Sequence, residues 1–142
     1  MKRGWIGVDL DGTLATHDGK QSKRIGAPIT AMVKRVKIWL REGREVRIVT
    51  ARAARPSFHI FTYRIFNYRA EKTQIEQWCL AHIGQVLQIQ AHKDYSMIEL
   101  WDDRAVQVQM NTGKQVGMSR LDDGSIAGET TADHARPMLE VV

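Results

Sequence analysis

Two apolar runs end in paired aspartates. W-I-G-V, residues 5–8, leads into Asp9-Leu10-Asp11, and M-I-E-L-W, residues 97–101, leads into Asp102-Asp103. A buried strand that delivers carboxylates to its C-terminal end is where open α/β sheets place their chemistry. Two carboxylates so close repel each other, and apolar neighbours raise the cost of leaving that charge uncompensated. Each pair therefore asks for a cation, and Mg²⁺ suits hard oxygen ligands. Two more polar residues follow apolar runs: Thr50 after residues 46–49 and Lys93 after residues 86–90. In a parallel sheet these ends share one edge, so residues far apart in sequence can converge there. The set is chemically coherent. Carboxylates hold a divalent cation, a hydroxyl and an ammonium hold phosphate oxygens, and one carboxylate can attack phosphorus.

Each residue also has a plainer reading. Asp9-Leu10-Asp11-Gly12 could open a calcium loop, but an EF-hand needs glycine at its sixth position and glutamate at its twelfth, where Leu14 and Lys20 stand. No Walker A sequence is present. Thr50 alone is an ordinary strand-end residue, Lys93 alone a solvated lysine, and Asp102-Asp103 alone a turn. Their order relative to the first aspartates lifts all of them. The five histidines show no metal-ligand spacing, although His17 and His92 could touch a substrate. Arg52 and Arg55, just beyond Thr50, could bind a second phosphate or be surface charges.

The elements that must position these groups alternate. Trp5 to Val8 reads as a buried strand, and residues 15–27 as a polar loop with a hairpin signal at Asp18-Gly19. Pro28 suits the first turn of a helix whose apolar face is Ile29, Met32, Val33, Val36, Trp39 and Leu40, closed by Gly43. Residues 46–49 form a second strand. Residues 53–70 lack a clear period and hold Phe58, Phe61, Tyr63, Phe66 and Tyr68 among Arg55, Arg64 and Arg69; they read as packing or as a base-stacking surface. Ile75, Trp78, Cys79, His82 and Ile83 mark a second helix over 71–83, with Cys79 in its core stripe. Residues 86–90 and 97–101 read as third and fourth strands, 105–109 as an edge strand, and Asn111-Thr112-Gly113 as a turn. Short hairpin strands are expected around 115–121 and 125–129. Strands alternating with helices predict an α/β fold with a mostly parallel sheet covered on both faces.

A chain of 142 residues with 43% hydrophobic and 26% charged residues can bury a core, which argues against wholesale disorder. No run is long enough for a membrane span, and no apolar signal region follows Lys2 and Arg3. The single cysteine fits a reducing cytoplasm, the expected location. The net charge of +5 is unevenly spread: residues 1–60 carry 13 Lys/Arg against 5 Asp/Glu, and residues 61–142 carry 8 against 11. The basic half could attract phosphorylated or polyanionic partners, or it could be a solvated helix face at Lys34, Arg35, Lys37 and Arg41.

Asp9-Leu10-Asp11-Gly12-Thr13-Leu14 resembles the first motif of the haloacid dehalogenase superfamily. Thr50 is similar to the second motif, Lys93 to the third and Asp102-Asp103 to the fourth, over about residues 4–110. The resemblance implies a Rossmann-like three-layer α/β/α core with a five-stranded sheet, in one domain with a β-rich or irregular extension over 111–142. It implies a Mg²⁺-dependent phosphatase. Asp9 would be the nucleophile and Asp11 the proton carrier, with Thr50 and Lys93 on the phosphoryl group. Asp9, the backbone carbonyl of Asp11, Asp102 and Asp103 would serve the metal. Gly12, Thr13, Thr50, Ala51, Arg52 and Lys93 would line the substrate. Residues 15–27 and 91–92 are too short for the family's cap domains, so the site would be open to a large substrate such as a nucleotide or nucleic-acid phosphate end, or covered by a second copy. Two alternatives stand beside this reading: a non-catalytic binding or assembly module, and phosphoryl transfer to an acceptor other than water.

Overall fold

Trp5–Val8 forms β1, and all four of its residues are buried. In a computed structural model describing residues 3–20, 24–54, 61–117, 119–120 and 126–127, β1 lies between β2 (Glu45–Val49) and β4 (Met97–Trp101). The short β3 (Gln88–Gln90) flanks β2, giving the order β3-β2-β1-β4 with every pairing parallel. A strand paired on both edges is desolvated on both, which is why its sequence is a continuous apolar run. Val8 is level with Ile48 and with Trp101. The residues that follow these three strands therefore emerge along one edge of the sheet.

Alternation sends Ile6, Val8 and Leu10 to one face. There they join Val46 and Ile48 under two helices, α1 (Thr30–Arg41) and α2 (Phe61–His82). The first contributes Met32, Val33, Val36 and Trp39, the second Ile75, Trp78 and Cys79. Trp39 meets Trp101 of β4 with ring centroids 5.1 Å apart. Full burial of each large apolar side chain is worth roughly 1.5–3 kcal/mol, so this cluster is the main source of stability in residues 3–103. No helix among the described residues is long and apolar enough to cross a membrane.

The opposite face is built differently. Trp5 is fully buried there, under the Arg47 guanidinium at 4.5 Å, and its indole Nε1 donates to Asp94 Oδ1 at 2.9 Å. Ile98 and Leu100 on the same side stay 36% and 40% exposed. No helix among the described residues lies on this face. The reason is topological: β1 to β2 and β2 to β3 advance in one direction, so right-handed crossovers put α1 and α2 on the same side. The return from β3 to β4 uses only residues 91–96, too few to carry a helix across. The described residues thus supply two layers where three were expected.

Among the described residues the sheet has four strands where five were expected. The segment expected as an edge strand over 105–109 forms β5 (Gln107–Val108), which pairs antiparallel with β6 (Gln115–Val116). Asn111 in the left-handed region (φ 65°) makes the turn between them, and closing so short a loop costs less entropy than reaching a distant edge. A second hairpin joins β7 (Ser119–Arg120) and β8 (Ile126–Ala127). The chain divides into two compact units, residues 1–103 and 104–142.

The second helix begins at Phe61, ten residues before the start expected at Glu71. The reading of 53–70 as a stacking or packing surface falls mostly on side chains outside the described residues, 55–68, Arg55 and Phe58 included; Arg69 is exposed. Among the described residues, the polar loop after β1 forms no strand pair beyond a single antiparallel bridge. It is closed by an isolated bridge between Ala15 and Pro28 and by the Thr16 amide, which donates to the Ala27 carbonyl at 2.8 Å.

Candidate metal and anion site

The amide of Asp9 donates to the Trp101 carbonyl at 2.8 Å, carrying the β1–β4 ladder one step past the strand and setting Asp9 beside Asp102. The chain then turns tightly. The Leu10 carbonyl accepts from the amides of Thr13, Leu14 and Ala15 at 3.3, 3.0 and 2.9 Å. Gly12 occupies φ 89°, and a Cβ there would stand 2.6 Å from Asp103 Oδ2. Only glycine allows the loop to approach that carboxylate so closely.

Thr13 is buried between the two strand ends. Its Oγ1 accepts from the Asp103 amide at 3.1 Å and lies 3.4 Å from Asp9 Oδ2 and 3.3 Å from Asp103 Oδ1. A hydroxyl has one hydrogen, so it donates to only one of the two carboxylates at a time. Oxygens of Asp9, Asp102 and Asp103 all lie within 4.8 Å of one another. The Asp9 carboxyl is pushed up to about 7, first by burial, then by sharing a hydrogen bond with Asp103 and by the charge of Asp102. Ligand oxygens around Mg²⁺ sit about 2.1 Å from the ion, hence up to about 4.2 Å apart. Three hard oxygen donors spaced this near to that range suit the ion.

Asp11 is not part of this cluster. Its side chain is held by Arg52, whose Nε donates to Oδ2 at 2.6 Å and whose Nη2 donates to Oδ1 at 2.9 Å, with the two side chains only 11% and 21% exposed. The pair raises the pKa of the guanidinium above its ordinary value. The same Nη2 reaches the Arg24 carbonyl at 3.4 Å. The arginine is aimed by the strand end before it. Thr50 is buried and extended, and its amide donates to the Gln90 carbonyl at 2.9 Å. Its Oγ1 accepts from the Arg52 amide at 3.2 Å, capping the single 3₁₀ turn Ala51–Ala53.

Lys93 is exposed in the turn after β3 and makes no hydrogen bond or ion pair with the described residues. The sequence order puts it after the correct strand, but no contact joins it to the three carboxylates. His92 is exposed too, and its carbonyl accepts from Gln90 Nε2 at 2.6 Å. The pairing of Asp11 with Arg52 was not foreseen, although Thr50-Ala51-Arg52 directly after a strand marks the turn that produces it.

No protein-family model and no curated protein matches the chain. A solved structure described as a conserved protein from Bacteroides thetaiotaomicron is similar at 19% identity and a TM-score of 0.46, over 72% of this chain and 78% of that one.

Proposed function

We propose that this chain is a Mg²⁺-dependent phosphatase of the haloacid dehalogenase type, acting on a phosphate monoester such as a nucleotide or a nucleic-acid phosphate end. The observation that carries the reading is the convergence of Asp9, Asp102 and Asp103 at the ends of adjacent parallel strands, with Thr13 between them. Bound Mg²⁺ would offset the charge of that cluster and of the incoming phosphate. Asp11 parts from Arg52 and takes up a proton from solvent; an Asp9 oxygen attacks phosphorus, the bond from phosphorus to the ester oxygen breaks, and that oxygen takes the proton from Asp11. Water then attacks the aspartyl-phosphate, gives a proton to Asp11, and leaves as inorganic phosphate with Asp9 restored. Thr50 and Lys93 contribute by positioning and charge, Lys93 after its turn has moved inward.

A second reading, a binding module that does not turn over, draws on Lys93 standing apart and on the occupied carboxylate of Asp11. One experiment separates the two. With Mg²⁺, the protein hydrolyses a simple aryl phosphate, and Asp9→Asn lowers kcat by about 10³-fold or more while the circular dichroism spectrum is kept. A wild-type protein that binds Mg²⁺ in calorimetry but turns over no phosphate ester overturns the phosphatase reading in favour of the module.

A further inference from the structure

Arg52 lies between two features. On one side Asp11 takes two of its N–H groups. On the other it touches the carbonyl of Arg24, a residue that lines a recess of about 470 Å³ with Thr16, His17, Asp18, Ile25 and Gly26. One wall of the recess is tied down. A Cβ on Gly26 would lie 2.1 Å from the Thr16 carbonyl oxygen, so the two arms of the loop touch only because glycine stands there. Trp78 Nε1 donates to the Gly26 carbonyl at 3.0 Å and ties that arm to α2. The one acid in the lining, Asp18, accepts from the Lys20 amide at 2.9 Å and so serves its own turn. Ala15, bridged to both Asp11 and Pro28, connects the recess to the acidic edge. A concave space of this size, with Arg24 and His17 on its rim, suits a small polar organic group that carries negative charge.

We propose that the recess holds the leaving group of a phosphate monoester that bears a second phosphate. In this arrangement Arg52 moves its two-pronged hold from Asp11 to that second phosphate, and Arg24 and His17 complete the contact. The inference rests on the phosphatase reading for the place of the first phosphate, at Asp9. Its physical ground is the guanidinium fork, which matches phosphate and carboxylate equally well. A second phosphate can therefore replace Asp11 as partner with little net loss, and Asp11 is released beside the ester oxygen when such a substrate arrives. A substrate with one phosphate leaves Arg52 on Asp11, so it binds less tightly and turns over readily only where its leaving group needs no proton, as an aryloxide does; discrimination arises from the difference between the two cases.

The test is binding in the Asp9→Asn background with Mg²⁺, where turnover is removed. A nucleoside 3′,5′-bisphosphate should bind about tenfold more tightly than either nucleoside monophosphate, and Arg52→Gln or Arg24→Ala should each abolish most of that preference. An oligonucleotide with a terminal phosphate is the second arm. The same preference there identifies a phosphodiester as an acceptable second phosphate, and its absence confines the subsite to small bisphosphates. Equal affinity for bisphosphate and monophosphates, or variants that weaken both alike, overturns the subsite whatever the wild type turns over. A retained preference in a protein that hydrolyses nothing upholds the subsite and removes the phosphatase reading.

Discussion

At the scale of single residues, Asp9 leaves a mark on stability. The folded chain holds its proton up to about pH 7, against 3.8 for an ordinary aspartate, because burial and two neighbouring carboxyls disfavour the charge. Between roughly pH 4 and pH 7 the folded state binds a proton that the unfolded state has lost, so this group makes stability fall as pH rises through that window. Without divalent cations, Asp9→Asn should therefore stabilise the protein at pH 8. Discounted for the partial exposure of Asp9, the gain is about 1–2 kcal/mol, and it should vanish near pH 4. Mg²⁺ should stabilise the wild type at pH 8 and have much less effect on the variant, since the ion binds only the folded acidic edge. Thermal melts with chelator and with Mg²⁺ at the two pH values decide it. A variant no more stable than the wild type at pH 8 would show that repulsion at the cluster is already relieved.

At the scale of elements, α1, which lies in the basic half, carries a sharp internal contrast. Trp39 is buried against Trp101, next to Asp102, whereas Ile38 is 45% exposed. Trp39→Ala should cost about 3–5 kcal/mol in denaturant unfolding, and Ile38→Ala less than about 0.5 kcal/mol. Similar losses at both positions would contradict this packing. The helix was legible because its apolar residues keep one period, and β4 matched residue for residue because paired acids end an apolar run. Residues 61–70 hid their helix because their aromatics and arginines follow no single period in the sequence, and hydropathy reads side chains while the backbone ladder does not depend on them. Residues 105–109 had a strand's alternation, but alternation does not name a partner. The turn at Asn111 chose β6. At the site, Asp9, Asp102 and Asp103 could be read because strand ends fix them directly. Arg52 reaches Asp11 only through the direction of the turn capped by Thr50, and Lys93 depends on how the turn over 91–96 is folded, which residue order does not encode.

At the scale of the whole molecule, the question is whether the charge asymmetry serves binding. Residues 1–60 carry 13 basic against 5 acidic groups, while residues 61–142 carry 8 against 11. On α1, Arg35 stacks at 4.7 Å on Trp101 and has a packing role, whereas Lys34 and Lys37 are exposed. A field acting over distance is screened by salt, with a Debye length near 10 Å at about 0.1 M, while a partly buried contact such as that of Arg52 is screened far less. If the basic half draws in polyanions, KM for an oligonucleotide phosphate should rise steeply between about 50 and 200 mM salt, and KM for a small aryl phosphate should change much less. The double substitution Lys34→Glu with Lys37→Glu should then flatten the oligonucleotide slope and raise its KM at low salt, with stability altered by less than about 0.5 kcal/mol. An unchanged slope in that variant would make Lys34 and Lys37 a solvated helix face, and attraction of the substrate would fall to groups at the sheet edge itself.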